Sequence, residues 1–246
     1  MTTVRPLGPP VDLNPAQWPS ATTLHGRFIQ LEKLEPKHAN DLFDLIGGDD
    51  STRAWLWDYM PDGPYSQREA FEEVIAARSV SADPFFFAVI DKRASSPSCS
   101  KAIGYISLLR ITPAQWTVEI GHVMFSSVLQ RTPAATEAIY LLARYAFEQL
   151  HYRRVEWKCN SLNAPSMKAA QRLGFVYEGT FRQHMVVKGR NRDTAWFAMV
   201  REDWEEGAKE ALEQWLEEGN FDQDGQQKKG LQDVREALKR SISVQQ

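Results

Sequence analysis

The hexapeptide Gln130-Arg131-Thr132-Pro133-Ala134-Ala135 stands between an apolar strand and a long apolar-faced helix. Thr132 suits an N-cap, where a side-chain oxygen takes one of the unpaired N–H groups of the first turn. Pro133 suits the first helical position, where a missing N–H costs nothing. Apolar residues at 135, 138, 139, 142, 146 and 150 then recur with the helical period, so one face of this helix must be buried. The helix start also turns free N–H groups and the positive end of its dipole toward the preceding loop, as a phosphate site requires. An ordinary well-capped helix start has the same signature.

The pattern around this junction alternates strand and helix. Strands are expected over 28–34, 84–90, 103–110, 116–125, 152–159, 175–187 and 193–200, and helices over 36–46, 67–78, 164–173 and 201–216. In 152–159, Val155, Trp157 and Cys159 fall on one face and Arg154, Glu156 and Lys158 on the other, the mark of a half-buried strand. Gly174 offers the left-handed cap that ends the 164–173 helix, and Gly189-Arg190-Asn191 the turn of the last hairpin. The polar loop 91–101 is expected to be mobile. This order predicts one mixed α/β sheet with helices on both faces.

Three segments follow: an extended arm over 1–24, with Pro6, Pro9, Pro10, Pro15 and Pro19, a catalytic-size domain over 25–204, and a helical appendage over 205–246. Net charge is −3 with no Lys/Arg block, which argues against nucleic acid or an anionic membrane as partner. The amino-terminal residues lack the apolar core of a signal peptide and no membrane-length apolar run appears, so a cytoplasmic protein is expected. Cys99 and Cys159 read as free thiols. No His/Cys/carboxylate spacing suggests a metal, and there is no G-x-S-x-G elbow or Walker loop.

Asn163 is placed to cap the helix at 164, and Ser166 stands one turn in. Glu119 lies on the 116–125 strand and shares a face with Gly121 and Val123, whereas simple alternation sends His122 to the other face. Trp55-Leu56-Trp57-Asp58-Tyr59-Met60 sets aromatic rings beside Asp58 and Asp62, which suits a cationic or aromatic amine and equally suits a small packed cluster.

The hexapeptide, with Glu119-Ile120-Gly121-His122 before it, Thr136-Glu137-Ala138 after it, and Asn163-Ala164-Pro165-Ser166 and Arg172-Leu173-Gly174-Phe175 downstream, resembles the GNAT N-acetyltransferases, and within them the RimJ/RimL-like branch. The resemblance spans roughly 27–204. It implies a GNAT-like, mostly antiparallel sheet splayed between its fourth and fifth strands, with acetyl-CoA as co-substrate. Val123, Met124 and Phe125 would then pair with the pantetheine arm and supply an oxyanion donor at a bulge. Gln130, Arg131, Thr132, Pro133, Ala134 and Ala135 would hold the pyrophosphate, and Asn163 would touch CoA. Pro133 stands where the family loop has a glycine, which removes one donor. Ser166 would assist the leaving thiolate and Glu119 would take the proton of the amine. Trp55, Trp57, Asp58 and Tyr59, with 181–192, would shape the acceptor pocket.

The resulting expectation is direct acetyl transfer to the primary amine of a small molecule, without an acyl-enzyme or a metal. A peptide N-terminus is the alternative acceptor, and a CoA-binding module without turnover the alternative of another class. Either a monomer or a homodimer is compatible with the apolar face of the 201–216 helix.

Overall fold

A computed structural model of the chain describes residues 7–11, 14–222 and 225–244, so Pro6 of the predicted arm and residues 223–224 of the predicted carboxy-terminal break lie outside the described residues. Eight strands form one sheet, β1 (Thr23–His25), β2 (Ile29–Lys33), β3 (Phe85–Asp91), β4 (Ala102–Thr112), β5 (Thr117–Phe125), β6 (Arg154–Asn160), β7 (Val176–Val187) and β8 (Arg190–Val200). Their spatial order is β1-β2-β3-β4-β5-β6-β8-β7, antiparallel throughout except for the parallel pair β5·β6. The fourth and fifth strands of the sequence reading are β5 and β6. A three-residue β1 with no apolar alternation was absent from that reading; it lies at the end of the predicted arm and owes its strand character to pairing with β2.

The helices are α1 (Ala39–Ile46), α2 (Ser51–Ala54), α3 (Arg68–Ser79), α4 (Pro133–Arg144), α5 (Ala164–Leu173), α6 (Arg201–Asp203), α7 (Lys209–Leu216) and α8 (Leu231–Val244). The larger core packs α4, α5, α7 and α8 against one sheet face through Val118 and Ile120 of β5, Val155 and Trp157 of β6, and Ala195 and Phe197 of β8. A smaller core on the opposite face holds α1 and α3 against Phe86, Ala88 and Tyr105. That second layer covers β2–β5 and leaves the β6–β8 side of its face to polar groups, which is where the cavities lie.

The arm is fastened to the domain. Trp116 Nε1 donates to Asn14 O at 2.7 Å, Gln17 N to Leu150 O at 2.9 Å, and Ser20 N and Ala21 N both to the Tyr145 hydroxyl at 2.9 Å. Loop 91–101 is also tied down, contrary to its polar sequence. Asp91 is fully buried and takes Arg93 Nε and Nη2 at 2.8 and 2.7 Å, while Ser100 N donates to its carbonyl at 2.7 Å. The 201–216 helix is broken near its start, where Gly207 takes φ 141°, a value glycine adopts without the steric cost a side chain would bring.

Candidate active site

The sheet opens between β5 and β6. Only Thr117, Val118 and Glu119 pair with β6, opposite Arg154, Val155 and Glu156, although β5 runs on to Phe125 and β6 to Asn160. Beyond Glu119 the β5 edge facing β6 has no strand partner, so the backbone of 121–125 can pair with an extended amide-bearing chain. A bulge sits in this stretch. Tyr105 pairs with Met124 but Ser107 with Gly121, so His122 and Val123 together oppose the single residue Ile106.

The bulge overturns the face expected for His122. Its φ is 45°, and its ring lies 5.2 Å from that of Phe86, with Nδ1 3.1 Å from Ser107 Oγ, on the side of the smaller core. Val123 and Phe125 in turn pack toward the larger core while Met124 enters the smaller one, so the extra residue inverts the alternation that sequence spacing assumes. Burial, aided by the Arg78 charge, lowers the His122 pKa to about 4, which keeps the imidazole neutral at physiological pH.

At the other side of the gap, α4 starts as the sequence predicts. Thr132 is the N-cap, its Oγ1 accepting from Ala135 N at 3.4 Å and donating to Leu129 O at 2.6 Å, and Pro133 is the first helical residue. Gln130 Nε2 donates to Phe125 O at 2.8 Å, which ties the loop to the end of β5, and Arg131 takes φ 60°. One turn later Glu137, 4% exposed, accepts the N–H groups of Arg27, Phe28 and Ile29 at 2.7–2.9 Å. This carboxylate fixes α4 against the entry to β2, a structural task that the Thr136-Glu137-Ala138 segment did not disclose.

Asn163 caps α5, its Oδ1 accepting from Ser166 N at 3.1 Å. Ser166 Oγ accepts from Trp157 Nε1 at 3.0 Å. Indole can only donate, so this bond fixes Oγ as acceptor and leaves the hydroxyl proton to be given elsewhere. Cys159 is buried and burial pushes its thiol up, while Cys99 lies exposed in loop 91–101. Neither has the electropositive, accessible setting of a nucleophile.

Glu119 is buried at 3% exposure within a cross-strand ion-pair network, an alternative open to it in the sequence, whose partners the sequence did not name. Arg110 Nη1 and Lys158 Nζ both bind its Oε2, the latter at 3.0 Å, while a Cβ built on Gly121 would come within 3.6 Å of Oε1. Lys158 reaches on to Glu156 Oε2 at 2.6 Å and lies 3.9 Å from the Trp196 ring centroid. Arg154 joins Glu156 to Glu178. Burial pushes the Glu156 carboxyl up, but its bonds to Lys158 and Arg154 outweigh this and hold it below its ordinary value. The one available signal was that Arg154, Glu156 and Lys158 alternate on a single strand face.

A cavity lies where the segment expected to shape an acceptor pocket meets the last hairpin. It measures about 350 Å³ and lies between 57–64, the end of β6 and the β7–β8 hairpin, lined by Trp57, Asp58, Tyr59, Asn160, Leu162 and the hairpin residues 187, 188 and 190–192. Trp57 is 1% exposed and turns its ring into the smaller core, with Nε1 donating to Ile46 O at 2.7 Å, so it supplies wall rather than an open ring face. Tyr59 donates to Leu162 O at 3.1 Å and bridges the rim. Trp55 is 53% exposed and outside the lining. Asp62 is taken by Arg78 at 2.6 Å and by the Tyr65 hydroxyl at 2.8 Å. A second, more open depression of about 730 Å³ follows at Phe181–Asp193 and shares Asn191 with the first.

Residues 29–176 match the family profile described as the acetyltransferase (GNAT) domain. The chain belongs to the GNAT acetyltransferase family. Its match to the crystal structure of a GCN5-related N-acetyltransferase from Brucella melitensis has 44% identity and a TM-score of 0.85, covering 91% of this chain and 98% of that one. The Bacillus subtilis protein named "Putative ribosomal N-acetyltransferase YdaF" is 27% identical over 179 residues, 72% of this chain and 93% of the relative. N-acetyltransferase p20 of Bacillus licheniformis is 26% identical over 185 residues, 74% of this chain and 98% of the relative. The ribosomal name among these GNAT relatives agrees with the RimJ/RimL-like branch. Members of the family use acetyl-CoA, and the unpaired β5 edge beside a capped helix start fits that ligand. Among the described residues no helix is long and apolar enough to cross a membrane.

Proposed function

We propose that this GNAT protein transfers the acetyl group of acetyl-CoA to a primary amine by direct attack, both substrates being bound at once. The observation that carries the reading is the gap between β5 and β6, closed below by the Glu119/Glu156 rung and continued by the α4 N-terminus and the cavity at the end of β6. Acetyl-CoA supplies an activated thioester carbonyl. Val123, Met124 and Phe125 would hold its amides by their backbone, Gln130 to Ala135 its phosphates with one donor fewer because of Pro133, and Asn163 would border it.

Ser166 Oγ, oriented by Trp157 and within hydrogen-bond reach of the Cys159 thiol, would turn its proton to a departing thiolate. Glu119 carries both of its ion pairs on Oε2, so Oε1, beside Gly121, is the oxygen through which it would take a proton from the ammonium or a bridging water. Trp57, Asp58 and Tyr59 would border the acceptor. A small amine fits the 350 Å³ cavity. A peptide α-amine is the second reading, favoured by the larger depression that has Asn191 in common with that cavity and by the ribosomal name of the Bacillus subtilis relative.

The test is release of CoA thiol from acetyl-CoA with small amines and peptide N-termini as acceptors. Acceptor-dependent release is expected, with kcat falling about tenfold in Ser166→Ala and about a hundredfold in Glu119→Gln. Saturable acetyl-CoA binding without release by any acceptor would instead support a CoA-binding module.

A further inference from the structure

The acceptor cavity is more positive than its aromatic–acidic wall suggests. Lys188, Arg190 and Arg192 line it against a single carboxylate, Asp58. Lys188 is occupied, donating from Nζ to Trp57 O at 2.8 Å. Arg192 is in a different situation. Its Nε–H is sealed from solvent and meets no acceptor among the described residues, and burial lowers its proton affinity while the Glu119 charge pulls the other way. A charged group with little to pair with is costly to bury, and a negative ligand set against the part of the Arg192 side chain that lines the cavity relieves that cost.

No neighbouring carboxylate answers this charge. Glu119 already serves Arg110 and Lys158. Asp193, next in sequence, accepts from Gln183 N at 2.7 Å and from Asn191 Nδ2 at 3.0 Å. The orphan acceptor of the region, Asp62 Oδ1, lies outside the cavity lining on a carboxylate already paired with Arg78. A cavity lined by three cations and one carboxylate complements a group that only accepts hydrogen bonds and carries negative charge, which is the description of a carboxylate.

Resting on the N-acetyltransferase reading, we propose that the acceptor is an anionic amine, a primary amine accompanied by a carboxylate that Arg192 binds while Arg190 adds attraction at the rim. An amino dicarboxylic acid and a peptide N-terminus followed by acidic residues share this chemistry. A polyamine or a basic peptide end would instead meet three cations.

The experiment compares two matched pairs on the full chain: free glutamate against putrescine, and the amidated peptide Ser-Asp-Glu-Ala against Ser-Lys-Lys-Ala. Binding to the protein saturated with CoA is read by calorimetry, and turnover with acetyl-CoA as kcat/KM. The acidic member of at least one pair is expected to bind about tenfold more tightly or better than its cationic partner. The pair that shows the preference identifies the source. Arg192→Gln should bring that ratio close to one and Arg192→Lys should retain part of it. Should these variants not fold, the wild-type ratio must still shrink as salt is raised.

The proposal is overturned if the cationic members bind as well or better, if neither acidic probe binds, or if Arg192→Gln keeps the ratio. Tight binding of an acidic probe without acetylation would leave this inference standing and remove the transferase reading. Acetylation indifferent to charge would do the reverse.

Discussion

His122 and Lys158 carry the two residue-scale lessons of the site. His122 is neutral in the fold with a pKa of about 4, against an ordinary value near 6.5 in the unfolded chain. Above pH 6.5 both states are neutral and the residue has no effect. As the pH falls through the window from 6.5 to 4 the unfolded chain takes the proton first, so stability is lost in that interval. Between pH 7 and 5 this contributes a loss of about 2 kcal/mol. Urea unfolding of wild type and His122→Gln at both pH values should show the wild type losing that much more; equal losses would refute it. Lys158, 4% exposed, separates the carboxylates of Glu119 and Glu156. Lys158→Met removes the cation shared by Glu119 and Glu156, leaving each carboxylate only its arginine, and should cost about 2–3 kcal/mol in unfolding free energy, partly recovered in the double variant with Glu119→Met. The alternation of β6 revealed that Lys158 faces away from the main core. It did not reveal the partner, because Glu119 is thirty-nine residues away and meets it only through the parallel β5·β6 rung.

At the scale of elements, α4 and β5 contrast. The start of α4 was legible because capping is local: Thr132 satisfies an N–H three residues on, and Pro133 presets φ whatever the rest of the chain does. Thr132→Ala should therefore destabilise by about 1 kcal/mol and weaken CoA binding, whereas Thr132→Ser should keep both near wild type. Thermal unfolding and calorimetric titration with CoA would read the two effects, and an unaltered CoA affinity in the alanine variant would remove the helix start from the binding site. The β5 bulge was not legible in the same way. It exists because β4 offers one residue where β5 has two, a property of pairing that no inspection of Gly121-His122-Val123 contains. The same reason hid β1. The hairpin turn is more local, since Lys188 and Gly189 take φ 49° and 71°, values for which the glycine is a direct signal.

Taken whole, the molecule joins its carboxy-terminal helices to the core that carries the site. Leu231 and Val234 of α8 are buried with Trp215 and Leu216 of α7, Arg235 Nη1 donates to Gln171 O of α5 at 3.3 Å, and Trp215 Nε1 donates to Gln227 Oε1 at 2.9 Å. We propose that 205–246 nonetheless act as a stabilising appendage to a domain over 25–204 rather than as part of its chemistry. Deleting 219–246 should lower stability on the order of 3–5 kcal/mol, the loss from exposing those apolar side chains, and leave kcat per folded molecule largely unchanged. Differential scanning calorimetry with active-site titration would separate the two, and an unchanged melting temperature would contradict the burial of α8.

Local signals disclosed the order of the seven longer strands, the capped start of α4, the caps of α5 and the family whose motifs they compose, because each depends on residues within a turn or two of one another. The tertiary fold alone sets that β5 and β6 part after Glu119, that a bulge swings His122 beside Phe86, that Lys158 and Arg110 hold Glu119, and that Arg192 lines the cavity at the end of β6. These are contacts between strands far apart in the chain, fixed by register and burial, and a one-residue change in pairing would reassign every face on which they depend.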